Sequence, residues 1–269
     1  MISKCVGNIF PLLENKSLHT YPTGGHLMGA KRKAAEKRNS KKGYDNVVDI
    51  KPFQKPNKQV NILPRNRNQE TYVLKLLDES KSIVFGIGPA GTGKTLLAVQ
   101  VAVKMFKEGK VDKIIVTRPA VSVDEDLGFL PGTLEEKMAP WTRPIFDVLK
   151  EYFNAAEITG MIAEGIIEIS PLAYMRGRTF KRSFILADEM QNATPNQMKM
   201  LLTRLGDESM MAVTGDLNQA DRLKDNGLID FTRLLENSNQ SCLDVVQFDK
   251  GDIERHDAVK AVLAVYGDD

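Results

Sequence analysis

Cysteine is scarce in this sequence: Cys5 and Cys242 are the whole supply in 269 residues. One possible pair makes no disulfide framework and no C-x-x-C spacing occurs, so the chain reads as a protein of a reducing cytoplasm. Histidine is scarce as well. His19, His26 and His256 form no ligand cluster, which argues against a zinc centre. No apolar run is long enough to cross a bilayer, so no membrane role is expected. Near the start, Val6, Ile9, Phe10, Leu12 and Leu13 are interrupted by Gly7, Asn8 and Pro11 and followed by Lys16, so no secretory leader is expected. What remains, 42% hydrophobic and 27% charged, is the ordinary composition of a soluble globular protein.

Charge is unevenly placed. The formal net charge is +2, yet residues 1–69 carry 14 Lys+Arg against 4 Asp+Glu, and residues 70–269 carry 23 against 31. A basic arm is therefore joined to a mildly acidic body. Such asymmetry suits a polyanion partner, and low hydrophobicity with high charge equally suits a solvated, disordered arm. Pro52, Pro56 and Pro64 mark an extended linker. The expected division is a basic arm over residues 1–64 and a folded domain over residues 65–269.

Gly88-Pro89-Ala90-Gly91-Thr92-Gly93-Lys94-Thr95 fits G-x-x-x-x-G-K-[ST]. An apolar run, Ile83 to Ile87, precedes it, and apolar residues at helical spacing follow it, from Leu96 to Phe106. Strand, glycine loop and helix are the context this motif needs. Glycines let successive backbone N–H groups turn inward as an anion nest, and the helix N-terminus adds partial positive charge. Lys94 is placed to reach the β- and γ-phosphates of a nucleotide, and Thr95 to offer a hydroxyl to Mg²⁺.

Strand and helix patterns then alternate. Lys113–Thr117, residues 166–169, Phe184–Ala187, residues 209–214 and residues 242–248 read as strands. Helices are expected over residues 69–79, from Thr133 to Phe153 with Pro140 and Pro144 breaking or kinking it, over 155–164, from Thr194-Pro195 onward, and over 228–236 and 255–266. With the glycine loop, this alternation predicts an α/β fold, a three-layer P-loop NTPase with a parallel sheet and helices on both faces.

In open α/β sheets, ligands bind at the carboxyl ends of the strands. Three strand ends carry suitable groups. Asp188 and Glu189 follow one apolar strand directly: the first carboxylate suits a Mg²⁺ shell, and the second can polarise an attacking water. Gly215-Asp216-Leu217-Asn218-Gln219 follows another, and Gln219 can sense a γ-phosphate or be part of a polar turn. Arg118 ends a third, facing either nucleic acid phosphate or an ion-pair partner. Arg176, Arg178, Lys181 and Arg182 form a basic run before the Asp188 strand, and a solvated face or a phosphate site explains it equally well. Trp141, Tyr174, Phe129 and Phe180 lie near these basic stretches, where packing and base stacking are both open. Arg255-His256 opens the last helix.

Several motifs in one order resemble the PhoH-like family of P-loop ATPases, which is related to superfamily-one helicases. They are Gly88 to Thr95, Thr117-Arg118-Pro119-Ala120, Leu127 to Gly132, Glu135 to Met138, Pro171 to Phe180, Asp188 to Asn192, and Thr214 to Gln219. The resemblance covers roughly residues 65 to 266. It implies a single RecA-like core, ATP hydrolysis with Mg²⁺, and links to RNA metabolism and phosphate starvation. By position it implies that Lys94 and Thr95 bind phosphates and Mg²⁺, Asp188 holds Mg²⁺, Glu189 activates water and Gln219 senses the γ-phosphate. It makes Gln69 an adenine-reading glutamine and Arg255 a trans-acting arginine finger, and with that finger comes a ring-shaped homo-oligomer such as a hexamer. Two departures stand out. Glu254 occupies a position where the family pattern has an apolar residue, and the arm does not look like the folded N-terminal extension of many bacterial members. The core-only form fits bacteria and bacteriophage alike, with action in the cytoplasm.

Two function classes follow. One is an ATPase that moves on, unwinds or remodels RNA or another single-stranded nucleic acid. The other is a nucleotide-controlled binding or assembly module acting on RNA or a protein partner. A small-molecule kinase uses the same loop, but the Asp188-Glu189 pair and the Gly215-to-Gln219 motif favour water as acceptor.

Overall fold

A computed structural model of the chain describes residues 59–119, 134–220 and 225–266, all within the compact unit Pro52–Asp269. The basic arm up to residue 58, the Leu127-to-Gly132 motif and Thr133 lie outside the described residues.

Among the described residues, six strands form one parallel sheet. They are β1 (Ile83–Ile87), β2 (Lys113–Thr117), β3 (Ile167–Ile169), β4 (Ser183–Ala187), β5 (Met210–Gly215) and β6 (Leu243–Gln247). Their spatial order is β3-β2-β4-β5-β1-β6. The four central strands are buried on both faces, which is why they read as continuous apolar runs rather than as alternating ones.

Successive residues still point to opposite faces, and this sorts the core into two layers. Val84, Ile114, Val116, Phe184, Leu186 and Ala212 pack on one side. They meet α1 (Arg67–Leu77), α2 (Lys94–Lys107), α3 (Leu134–Tyr152) and α4 (Ala155–Ala163). Phe85, Ile87, Ile115, Ile185, Met211 and Val213 pack on the other side, against α5 (Pro195–Leu202) and α6 (Gly227–Glu236). The last helix, α7, spans Asp257–Tyr266 and leaves Val259 and Val262 exposed. This is the three-layer P-loop α/β architecture.

Local signals placed the helix starts. Asn66 caps α1 by accepting from the Gln69 N–H at 2.9 Å. Thr194 and Gln197 form a reciprocal capping box, with Pro195 in the first turn of α5. Of the two effects expected of Pro140 and Pro144, a break does not occur: α3 runs unbroken through both. Each proline removes one ladder donor. The helix is held instead by its apolar side, where Ile145 and Leu149, with Phe153 just beyond it, are buried in the core. Between β3 and β4 lies a short 3-10 turn, Leu172–Met175, just ahead of the basic run that starts at Arg176.

Candidate nucleotide site at the strand ends

The glycine loop joins β1 to α2 at the carboxyl edge of the sheet. Gly88 has φ +149°, and a Cβ built there would lie 2.3 Å from the Phe248 carbonyl oxygen, so only glycine fits between the loop and the end of β6. Gly93 sits in the left-handed region at φ +82° and turns the chain into α2. The ammonium of Lys94 curls into the loop, donating to the carbonyls of Gly88 and Pro89, each at 2.7 Å, and to Thr92 Oγ1 at 3.2 Å. Burial pushes its pKa down, and the carboxylates of Asp216, Glu189 and Asp188 oppose that shift.

Asp188 follows β4 and lies beside the start of α2. Its Oδ1 accepts from Thr95 Oγ1 at 2.8 Å and also from Thr214 Oγ1 at the end of β5. Its backbone N–H donates to Thr117 O at 2.9 Å, tying it to the end of β2. A threonine hydroxyl and a carboxylate converging at a phosphate loop form a hard oxygen set that fits Mg²⁺, which binds through one or two protein groups plus phosphate oxygens. Glu189 is in the left-handed region, at φ +55° and ψ +39°. That conformation costs a residue with a Cβ about 1–2 kcal/mol, and here it turns the carboxylate toward the same cleft as Lys94.

The turn after β5 completes the wall. Asp216 Oδ2 accepts the Ala90 N–H of the loop at 3.0 Å, and its Oδ1 accepts the Asn218 N–H at 3.0 Å. Gln219 is exposed and lines the cleft with Glu189 and Lys94. The cleft encloses about 240 Å³ and is lined by loop residues, Asp188, Glu189, Thr214, Asp216 and Gln219. The structure thus brings Lys94, Thr95, Asp188, Glu189 and Gln219 together.

Gln69 and Arg255 lie behind the loop, outside the lining of this cleft. Gln69 is buried and donates from Nε2 to Thr92 O at 3.1 Å. Arg255 lies against its own chain's loop: its Nε is 3.3 Å from where a Cβ on Gly91 would stand. His256 accepts the Ala258 N–H at Nδ1 at 3.1 Å and so caps α7.

The candidate nucleic-acid contacts separate into two groups. Arg178 is engaged: both of its terminal nitrogens pair with the Glu168 carboxylate, and its guanidinium covers the Phe180 ring at 4.6 Å. That pairing holds the Glu168 carboxyl below the usual carboxylate range. Arg118 and Arg176 have no hydrogen-bonded or ion-paired side-chain partner among the described residues. Tyr174 is 64% exposed on the 3-10 turn whose Leu172 and Met175 are buried, and the Leu172 N–H donates to Arg118 O at 3.3 Å. Phe180 is buried and Trp141 is half-buried, as packing roles require, while Phe129 lies outside the described residues.

The family model described as PhoH-like protein matches residues 61–267. The chain belongs to the PhoH-like family. A PhoH-like protein of Bacillus subtilis (strain 168) is 45% identical over 204 residues, covering 75% of this chain and 63% of the relative. Protein PhoH of Escherichia coli (strain K12) is 41% identical over 209 residues, covering 76% of this chain and 58% of the relative. The PhoH-like chain described here thus spans roughly three fifths of the length of these relatives. Among solved structures, the Sulfolobus solfataricus SWI2/SNF2 ATPase core in complex with dsDNA has a TM-score of 0.40 at 15% identity, over 74% of this chain and 47% of that one. That likeness is remote, and the fold rests on the sheet order given above.

Sequence reasoning gave Gln191 no role. It is buried, donates from Nε2 to Glu189 Oε2 and accepts the Asp216 N–H at Oε1 at 3.1 Å. Its backbone carbonyl accepts from Asn226 Nδ2 at 2.7 Å, at the start of α6. The signals were its place two residues after Glu189 and within the Asp188-to-Asn192 motif. A glutamine there reads as surface until the turn after β5 folds over it.

Proposed function

We propose that this PhoH-like chain is a Mg²⁺-dependent ATPase that converts ATP to ADP and phosphate and couples turnover to RNA or another single-stranded nucleic acid as a homo-oligomer. One observation carries the reading: the Thr95 hydroxyl meets the Asp188 carboxylate at 2.8 Å in the cleft that also holds Lys94 and Glu189. Phosphoryl transfer to water asks for positioned charge and a positioned water, and these residue types supply both.

In this reading the loop N–H groups and the α2 N-terminus bind the phosphates. Lys94 leaves the Gly88 and Pro89 carbonyls for phosphate oxygens. Thr95 and Asp188 hold Mg²⁺, which when bound neutralises charge on the phosphate oxygens. Glu189, fixed by Gln191, orients a water and accepts its proton, while Gln219 at the open rim contacts the terminal phosphate. Arg118, Arg176 and Tyr174 form the nucleic-acid face, an aromatic flanked by cations at the same sheet edge. The described core is a single RecA-like unit, and in this reading a second copy of the chain supplies the other wall of a cleft between two such units. The site of action is the cytoplasm of a bacterium or of a phage-infected host.

Sizing the protein with and without ATP and Mg²⁺, with hydrolysis measured on the same sample with and without RNA, tests the whole reading. Assembly and RNA-stimulated turnover are the expected results. An RNA-insensitive monomer sinks the coupling and leaves a nucleotide-controlled binding module.

A further inference from the structure

Thr214 carries the last side chain of β5 before Gly215, and it is 1% exposed. A buried strand position of this kind suits valine, which has the same shape. A hydroxyl placed there must find a partner. Ala187 and Val213 lie side by side in the parallel register, so Asp188 and Thr214 are the next cross-strand neighbours. Side chains alternate along a strand, so both follow Leu186 and Ala212 onto the face that carries α2. There Thr214 Oγ1 donates to Asp188 Oδ1.

Asp188 does not need this bond to reach the loop. Thr95 Oγ1 already donates to Oδ1 at 2.8 Å, and the Asp188 N–H donates to Thr117 O at 2.9 Å. The second hydroxyl has a different effect. A carboxylate oxygen offers two lone-pair sites, and two donors fill them. Thr95 and Thr214 together saturate Oδ1, while Oδ2 accepts from no group among the described residues. Oδ2 is thus the oxygen left to face a cation or its water shell. The last torsion of an aspartate is broad, so a carboxylate with one donor fewer is free to turn.

Thr214 is also a fixed donor, because the residues after it are bound on several sides. The Gly88 N–H donates to Gly215 O at 3.1 Å, and the Ala90 N–H donates to Asp216 Oδ2 at 3.0 Å. The Asp216 N–H donates to Gln191 Oε1 at 3.1 Å. A Cβ on Gly215 would stand 2.4 Å from Leu228 Cδ2, so the chain has no room to shift there. The hydroxyl that orients Asp188 is therefore anchored, through two of these bonds, to the glycine loop.

We infer that Thr214 is a positioning residue that holds Asp188 with Oδ2 turned toward the metal and so sets the affinity of the site for Mg²⁺. This rests on the reading above in which Thr95 and Asp188 hold Mg²⁺. The Thr214 hydroxyl is spent on Asp188, so it acts through that carboxylate and not on the nucleotide. Removing a group that orients a metal ligand typically costs about ten- to a hundredfold in metal affinity. A hydroxyl that serves stability alone changes the melting temperature and leaves the Mg²⁺ requirement where it was.

The test uses the full chain and three variants. Thr214→Val keeps the shape and removes the donor. Thr214→Ser keeps the donor. Thr214→Cys leaves only a weak donor and stands in if the valine variant does not fold. Two quantities are read for each protein: the Mg²⁺ concentration that gives half-maximal ATP turnover, and equilibrium binding of a fluorescent ATP analogue with Mg²⁺ and with EDTA. Thr214→Val is expected to need roughly tenfold more Mg²⁺ or beyond. Its binding in EDTA is expected to match wild type, and the gain on adding Mg²⁺ to shrink. Thr214→Ser is expected to behave as wild type in both. An unchanged Mg²⁺ requirement in the valine variant overturns the inference, as does a serine variant as impaired as the valine one. A loss of binding equal in EDTA and in Mg²⁺ also overturns it, by making Thr214 a support of the loop itself. If the wild type hydrolyses no ATP, the ATPase reading fails. The Mg²⁺-dependent share of nucleotide binding by the same proteins then still decides the role of Thr214.

Discussion

Thr95 and Asp188 are 93 positions apart in the chain, and the threonine hydroxyl donates to Asp188 Oδ1 at 2.8 Å. The contact exists because β4 lies two strands from β1 in the sheet, with β5 between them. Thr214, at the end of β5, donates to the same oxygen and closes the gap. Two strand ends and the start of α2 thus meet at one carboxylate at the mouth of the glycine loop.

Lys94→Ala removes the one ammonium inside the loop. Hydrolysis of ATP is expected to fall by about 10²–10³-fold or more, the scale set by loss of a preorganised charge contact. Steady-state turnover with Mg²⁺ measures it, and near-normal rates in this variant would remove the central claim.

Glu189→Gln keeps shape and removes the proton acceptor. ATP affinity is expected to hold while kcat drops by about 10²-fold or more. Equilibrium binding of a fluorescent nucleotide, set beside turnover, separates the two effects. Loss of binding in parallel with turnover counts against the assigned role.

Tyr72 stands directly behind β1. Its hydroxyl is fully buried with no hydrogen-bond partner among the described residues, and a Cβ added to Gly86 would come within 2.9 Å of its ring. Desolvation first, then the charge of Asp188, pushes the phenol pKa far up, so the hydroxyl is neutral at every working pH. An unsatisfied buried hydroxyl costs about 1–3 kcal/mol. Tyr72→Phe is therefore expected to raise Tm by several degrees, at about 2–4 °C per kcal/mol for a domain of this size. Gly86→Ala is expected to lower stability by about 1–3 kcal/mol through overpacking. A thermal melt of each variant decides it, and a lower Tm for Tyr72→Phe contradicts the account.

Glu168 and Arg178 link β3 to the stretch before β4. The hydrogen bonds from Arg178 lower the Glu168 pKa, against an opposing desolvation effect. A carboxylate with a depressed folded-state pKa contributes stability above its unfolded pKa of about 4.3, and that contribution disappears as pH falls through the folded value. Both groups are partly exposed, so at neutral pH the pair contributes at most about 1 kcal/mol. Glu168→Gln should melt a few degrees below wild type at pH 7, and the two should converge in acid, as the pH falls through the depressed folded-state value. A gap that persists in acid would assign the effect to packing instead.

Residues 1–69 carry a charge of +10. Removing residues 1–60 is expected to weaken RNA binding and flatten its dependence on salt, since each phosphate contact contributes about 0.7 to the slope for a single strand. Binding titrations across a salt series give the slope directly, and an unchanged one makes the arm a passive tail.

Much of this molecule is legible in order along the chain. The glycine loop, the apolar strand runs and the carboxylates at Asp188-Glu189 are local patterns, and each strand lies within a residue or two of its expected place. Local signals fail where packing decides. Pro140 and Pro144 forbid two ladder bonds but do not divide α3, because its apolar side is anchored in the core. Gln191 and Gln69 are the same residue type in polar surroundings, and neither announces burial. Sequence alone determined the α/β class, the phosphate loop and the residue types at each strand end, because these follow from backbone geometry and hydrophobic period. Only the tertiary structure decided which groups face the cleft and which hold it in shape. Glu189 and Gln219 line it, Gln191 and Asp216 lock the turn beside it, and Gln69 braces the loop from behind. Those roles depend on hydrogen bonds across strand ends that are adjacent in the sheet and distant in the chain.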